Sequence, residues 1–311
     1  MSAGAAPGAG DARGAETARM SDDVVAVTGA SGRIGRRVAD RLGAAGVPVR
    51  LVGRDPRRLP DVPGAAKAPP AAYGDGEAMR AAMDGADTLF LVSAHEGPDR
   101  VAEHRTAVDA AVAAGVGRIV YLSLQGAAPD ATFTFARDHW HTEQYVRAHD
   151  GLAHTFLRDG WYLAGIPAMT GADGVIRGPA GNGRVAAVAH EDVADVAAVV
   201  LLARDGRHDG ATYDVTGGEA FTLAEAAEEM SRATGRTIRY LPETRDEAYA
   251  SRAGYGAERW RLDGWVSSYE AIARGELGAV SDTVERLAGH APMTLREFLA
   301  RHPRSLAHLT G

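Results

Sequence analysis

The sequence predicts a parallel α/β fold, and three features carry that expectation. From Asp23 onward, short β-rich runs alternate with amphipathic, Ala-rich segments. The early runs are apolar at consecutive positions, as strands covered on both faces require. A glycine-punctuated turn, V-T-G-A-S-G-R-I-G-R-R at 27–37, joins the first run to the first helical pattern. Helices between strands of this kind cover both sides of a parallel sheet.

Taken in order, Val24 to Thr28 reads as the first strand and Ile34 to Leu42 as a helix, followed by a second strand from Val47 to Val52. A weak third strand, interrupted by Pro69 and Pro70, is expected to end near Tyr73, ahead of a short helix from Glu77 to Met83. Asp87 to Ser93, Arg118 to Leu124 and Ala153 to Arg158 read as further strands, with helices at Val101 to Ala114 and about Asp138 to Ala148 between them. Beyond Trp161 the pattern loosens into a Gly-rich loop, Gly171 to Gly183, with room for one short strand. Helices then read at His190 to Ala203, Leu223 to Ala233, Glu243 to Arg252, Ala257 to Arg274 and Thr294 to Arg301, with strands at Thr212 to Val215 and Ile238 to Leu241. No linker separates the two halves, so the expected division is a nucleotide-binding domain at 23–160 and a lobe at 161–311 whose segments partly return to the first core.

The 311 residues are 45% hydrophobic, enough for a large core, and their formal net charge of -7 speaks against nucleic acid as a partner. The chain has no cysteine, which excludes disulfides, thiolate metal sites and a cysteine nucleophile, and suits a reducing cytoplasm. Residues 1–22 read as a disordered Ala/Gly-rich extension without a secretory apolar segment, and no later run is long enough to span a membrane. Oligomeric state is not readable.

Gly29, Gly32 and Gly35 form G-x-x-G-x-x-G at a strand-to-helix junction. There, one glycine permits the turn, one lets backbone approach a pyrophosphate, and one lets helix and strand pack closely. Ser31, Arg33 and Ile34 complete the candidate cradle, and the helix N-terminus offers free N–H groups to phosphate. An NAD site usually has an acidic residue at the end of the second strand. Here that strand runs into Gly53-Arg54-Asp55-Pro56. Arg54, with Arg33 as a second cation, favours a 2′-phosphate and hence NADP(H); a one-residue shift would substitute Asp55 and allow NAD(H). Arg57 and Arg58 read as a solvated basic turn.

T-G-A-S-G-R-I-G at 28–35, V-R-L-V-G-R-D-P at 49–56, Y-G-D at 73–75, the H-x-x-T-E of His139 to Glu143, L-R-D-G-W-Y at 157–162 and A-P-M-T-L-R-E-F-L at 291–299 together resemble the NmrA-like branch of the atypical short-chain dehydrogenase/reductases, and within it the bacterial NAD(P)H:quinone oxidoreductase type. The resemblance implies a Rossmann-type, doubly wound parallel sheet that binds NADPH, with a small C-terminal lobe closing over the nicotinamide. It also implies that Asp75 contacts the adenine, that Val92, Ser93 and Ala94 line the ribose side, and that Ser123 faces the nicotinamide. From the residues alone, Asp75 is equally a helix N-cap and Ser123 equally a strand-end hydroxyl.

Most relatives in that superfamily use a Tyr-x-x-x-Lys pair, whose tyrosine pKa is lowered from about 10 so that it shuttles a proton. In the register set by H-x-x-T-E, this chain has Phe135 for the tyrosine and His139 for the lysine. His139, Thr142 and Glu143 fall on one helix face at i, i+3 and i+4, which offers His139 as a proton donor or substrate orienter tuned by Glu143. The bland alternative has Asp138 capping that helix and the others in a solvated first turn. Trp161 and Tyr162 enter at the carboxyl edge of the sheet, as an aromatic pocket wall or as interlobe packing. His190-Glu191-Asp192 lacks the second histidine of a zinc motif, Ala194 standing there, so no metal is expected.

Hydride addition to a quinone leaves a weakly basic, phenolate-like oxygen and tolerates a missing acid better than ketone reduction does. The expected function is therefore an NADPH-dependent oxidoreductase acting on a small planar quinone or conjugated carbonyl. The alternatives are an NADP(H)-sensing regulatory protein and a tailoring reductase for an enone or imine.

Overall fold

A computed structural model of the chain describes residues 23–310; the extension expected at 1–22 lies outside the described residues. Strand β1 (Val25–Val27) leads through the glycine turn into α1 (Arg33–Ala44), followed by β2 (Val49–Leu51), β3 (Ala65–Lys67), α2 (Gly76–Met83), β4 (Thr88–Val92), α3 (Arg100–Ala113), β5 (Arg118–Leu124), α4 (Thr134–Arg147) and β6 (Ala153–Asp159). A short helix α5 (Gly165–Ala168), β7 (Val175–Gly178), β8 (Arg184–Val185), α6 (His190–Leu202), β9 (Thr212–Val215), β10 (Phe221–Thr222), α7 (Leu223–Thr234), β11 (Arg239–Pro242), α8 (Arg245–Arg252), α9 (Arg259–Ala273), α10 (Leu295–Arg301) and a last short helix α11 (Ala307–Thr310) follow.

Seven strands form one sheet in the order β3-β2-β1-β4-β5-β6-β9, every neighbouring pair parallel. The order reverses between β1 and β4, so this is the doubly wound sheet, and ligands of such sheets bind at the carboxyl edge near that reversal. Alternate strand residues explain why both faces are covered. Val27, Leu51, Phe90, Leu122 and Leu157 pack with Val38 and Leu42 of α1 and Val193 and Val196 of α6. Leu91, Tyr121 and Phe156 pack on the other face with Met79, Met83, Val108 and Val146 of α2, α3 and α4.

A separate core of Ile166, Ile176, Leu223, Met230, Tyr269 and Phe298 builds the lobe. Small sheets β7–β11 and β8–β10 frame it. Its helices start where local chemistry dictates: Thr222 with Glu225, Thr244 with Glu247 and Thr294 with Glu297 form reciprocal capping boxes on α7, α8 and α10. Segments after residue 161 also return to the sheet, because β9 pairs with β6 and α6 lies against α1. Arg37 and Arg41 of α1 meet Glu191 and Asp195 of α6 at 2.6 and 2.5 Å.

Two elements differ from expectation. β3 closes at Lys67 and never reaches Tyr73, since Pro69 and Pro70 cannot donate to the ladder. Helix α4 begins at Thr134, a turn before Asp138, because Ser267 of α9 accepts from the Thr134 amide at 3.2 Å and the Ala131 carbonyl from Arg137 at 2.8 Å. Asp138 is therefore inside the helix and caps nothing. Among the described residues, no helix is long and apolar enough to cross a membrane.

Candidate functional site

The turn after β1 has the shape a pyrophosphate needs. Gly29 has φ +60°, a left-handed conformation that L side chains rarely adopt. A Cβ on Gly35 would fall 2.4 Å from the Gly29 carbonyl oxygen, so only glycine lets α1 approach β1 this closely. Gly32 caps α1 with no side-chain hydrogen bond, no acidic residue stands in the first turn, and Ser31, Gly32 and Arg33 are exposed. Ile34 instead turns into the core. The positive end of the helix is thus left open to an anion. Thr28 locks the turn to β4, donating to the Phe90 carbonyl at 3.1 Å and accepting from the Val92 amide at 2.9 Å.

At the end of β2, Asp55 is committed elsewhere. Its carboxylate accepts from the Arg57 amide and guanidinium at 3.1 and 3.0 Å, and that arginine holds its pKa below the usual carboxylate range. Arg54 is exposed and has no acidic partner among the described residues, as is true of Arg33. Asp75 caps α2, accepting from the Ala78 amide at 3.0 Å, and the residue is exposed.

The segment after β4 is fixed by a buried polar network that was not legible in the sequence. The Ala94 amide donates to Nε2 of His104 at 2.8 Å, and the Ala94 carbonyl accepts from Nε of Arg100 at 3.0 Å. His104 therefore carries its hydrogen on Nδ1 and donates to Thr142 at 2.8 Å, and Thr142 donates to the Asp138 carbonyl. Burial holds the His104 pKa down at about 3. Val92, Ser93 and Ala94 are thereby held in place at the edge of the sheet, and Ser93 faces the cavity described below.

His139 lies on the same cavity wall, 4% exposed, but it is not placed as a proton donor. Arg100 only donates, so Nε2 of His139 accepts from it at 3.0 Å, and Nδ1–H points to the Tyr121 hydroxyl at 3.0 Å. Burial, then the Arg100 charge, holds the imidazole neutral, well below its ordinary pKa. Glu143 does not tune it. Its carboxylate is fully buried off the cavity wall, accepting from Ser123 at 2.6 Å and from both arms of Arg158 at 2.8 and 2.7 Å. The same bond commits the Ser123 hydroxyl to α4 and away from the cavity, correcting two expected site residues at once. The helix face of His139, Thr142 and Glu143 exists as expected, yet it is buried against β5, where a solvated turn had been the alternative.

A cavity of about 1020 Å³ opens at the carboxyl edge of β4, β5 and β6, between the sheet and the lobe. Phe135 forms part of its wall, in contact with Phe133 and Trp260 at ring separations of 5.5 and 6.0 Å. Trp161 lines the cavity and stacks on Phe133 at 6.4 Å. Tyr162 lines it too, but its ring stacks on His190 at 4.3 Å and its hydroxyl donates to Asp159. The far wall is built by Tyr255, Trp265 and Tyr269, which sequence reasoning missed because residues around α8 and α9 carry no motif. Of the Gly171 to Gly183 loop, only Gly171, Val175 and Arg177 reach it.

A model of the NAD(P)H-binding family matches residues 29–204. Quinone oxidoreductase 2 of Escherichia coli is 32% identical over 89% of this chain and 98% of its own length. The (4-alkanoyl-5-oxo-2,5-dihydrofuran-3-yl)methyl phosphate reductase of Streptomyces griseus is 35% identical over 91% of this chain and 99% of its own. The crystal structure of the E. coli NADPH-dependent quinone oxidoreductase with NADPH superposes with a TM-score of 0.79 at 31% identity, covering 89% of this chain and 99% of that one. With the glycine cradle and the doubly wound sheet, these similarities establish that the chain belongs to the NAD(P)H-binding family of oxidoreductases, alongside the quinone-reductase type.

Proposed function

We propose that this protein is an NADPH-dependent reductase of a planar conjugated carbonyl compound, a quinone or an enone, bound in the interlobe cavity. The observation that carries this reading is the cavity itself. It has the volume of a small-molecule site, aromatic walls suited to a flat ring, and a place at the sheet edge beside the glycine cradle. The two curated relatives point the same way, one named for quinones and one for an oxo-dihydrofuran bearing an alkanoyl group. Residues from 161 on, apart from the segments that return to the sheet, act as the lobe that closes over the acceptor.

The α1 amides and Gly29, Gly32 and Gly35 would hold the pyrophosphate, Arg33 and Arg54 the 2′-phosphate, Asp75 the adenine side, and Val92, Ser93 and Ala94 the ribose. When bound, the cofactor supplies hydride. The chain's own work is to orient the acceptor with Phe135, Trp161 and Tyr162 and to exclude water with the lobe. Arg100, fixed by His139 and Ala94, presents fixed positive charge at the cavity wall, where it favours negative charge developing on an oxygen. Phe135 occupies the tyrosine position of the Tyr-x-x-x-Lys pair, so acceptors whose reduced oxygen is weakly basic suit the site best. Steady-state NADPH oxidation against a panel of quinones and enones tests this reading. Turnover with at least one class is expected; tight NADPH binding with no turnover on any acceptor makes the protein a cofactor sensor.

A further inference from the structure

We propose that Asp159 and Tyr162 form the proton source of this site, Tyr162 touching the oxygen of the acceptor and Asp159 resupplying Tyr162. The inference rests on the reductase reading above. Asp159 is the last residue of β6, 3% exposed, and Tyr162 follows in the next turn; both line the cavity. The Tyr162 hydroxyl is hydrogen-bonded to Oδ2 of Asp159. The stack on His190 at 4.3 Å fixes the ring, and Asp159 is the hydrogen-bond partner of its hydroxyl.

The charged and titratable groups around the pair come from three helices and the segment ahead of α3. Arg100 of α3 lies within electrostatic reach of both members, His139 of α4 and Glu96 ahead of α3 share the cavity wall, and His190 of α6 covers the tyrosine ring. None forms an ion pair with Asp159 among the described residues; Arg100 turns instead to His139, Ala94 and Asp138. Buried without a cation at contact, the Asp159 carboxyl is pushed up to about 8 and holds its proton at neutral pH. The other polar groups expected at this spot are committed: His139 is a neutral acceptor from Arg100, and Ser123 donates to Glu143. The acid missing at Phe135 is thus supplied from the neighbouring strand.

The step balances. NADPH provides two electrons and one hydrogen as hydride to the conjugated system. The Tyr162 hydroxyl, which donates to Asp159 in the free site, turns its hydrogen to the acceptor oxygen; as that O–H bond breaks, its own oxygen takes the Asp159 proton, and the resulting carboxylate is reprotonated from solvent.

The test uses the full chain with Asp159→Asn and Tyr162→Phe, the latter keeping the ring on His190. In the cofactor-free protein, infrared titration should find a protonated carboxyl that ionises near pH 8 and is absent from D159N. In single turnover, the wild-type rate of NADPH oxidation should fall as pH rises through that value. Each variant should be slowed about 100-fold, the scale of a lost general acid, with NADPH affinity unchanged. D159N should also lose the alkaline limb. A carboxyl that titrates in the ordinary range, or variants matching a turning-over wild type in rate and pH profile, overturns the proton pair and leaves the reductase reading standing. A wild type inactive toward every acceptor overturns both. Should D159N fail to bind NADPH, Y162F decides by the same rate criterion.

Discussion

At the residue scale, the carbonyl oxygen of Gly29 faces Gly35, and that close approach sets the turn after β1. Glycine is required at 29 and 35, where φ is +60° in the first and a Cβ on the second would meet the Gly29 carbonyl, and Asp55, held by its own neighbour Arg57, leaves Arg54 as the exposed cation at the end of β2. Arg54→Ala should weaken NADPH binding by about 1.5–3 kcal/mol, the worth of a charged hydrogen bond, and leave NADH nearly untouched; titration of cofactor fluorescence reads the difference, and equal losses would return the role to Asp55. Gly35→Ala would set a Cβ 2.4 Å from the Gly29 carbonyl oxygen. It should destabilise the fold by about 1–3 kcal/mol and abolish measurable cofactor binding, by denaturation and by the same titration. The partners of His139 were hidden because Arg100 lies 39 residues away and Tyr121 looked like strand filler. Asp159 lies inside L-R-D-G-W-Y at 157–162, but nothing in a one-dimensional pattern reveals that a carboxyl will be buried without a cation.

At the element scale, strands and helices followed periodicity, while their ends followed tertiary contacts. Strand β5 reads plainly from R-I-V-Y-L-S-L, whereas the true start of α4 depends on Ser267 in a helix more than a hundred residues later. The α4–β6 junction rests on Glu143, whose buried carboxylate joins Ser123 of β5 to Arg158 of β6. Removing one partner of a buried pair strands the other charge, so Glu143→Ala should cost about 3–5 kcal/mol in chemical denaturation. Full stability in that variant would show that water replaces the carboxylate freely. The walls contributed by α8 and α9 escaped the sequence because they are defined by which side of a lobe faces the sheet, a relation set only by the assembled core.

At the scale of the whole molecule, pH acts on the fold through buried histidines. His190, stacked on Tyr162, is held down at about 4 chiefly by burial and then by the Arg33 charge. Between its ordinary value of 6.5 and about 4, the unfolded chain binds a proton that the folded one refuses, so this group leaves stability intact above 6.5 and removes it as pH falls. Between pH 7 and 5 the loss should be about 1–2 kcal/mol smaller in His190→Phe, which keeps the stack; an unchanged loss, by urea denaturation at both pH values, would place the titrating group elsewhere. Asp159 acts with the opposite sign, since its folded-state pKa is raised from 3.8 to about 8 and stability declines as pH rises across that window. Asp159 lines the cavity wall, and His190 stands against the ring of Tyr162. The claim that this wall serves hydride transfer to a conjugated carbonyl is tested most directly by single-turnover oxidation of NADPH deuterated at the transferable C4 position, mixed with a quinone or an enone. Oxidation that is saturable in the acceptor and slowed by the deuterium is the expected result; NADPH that stays bound and reduced with every acceptor would contradict it.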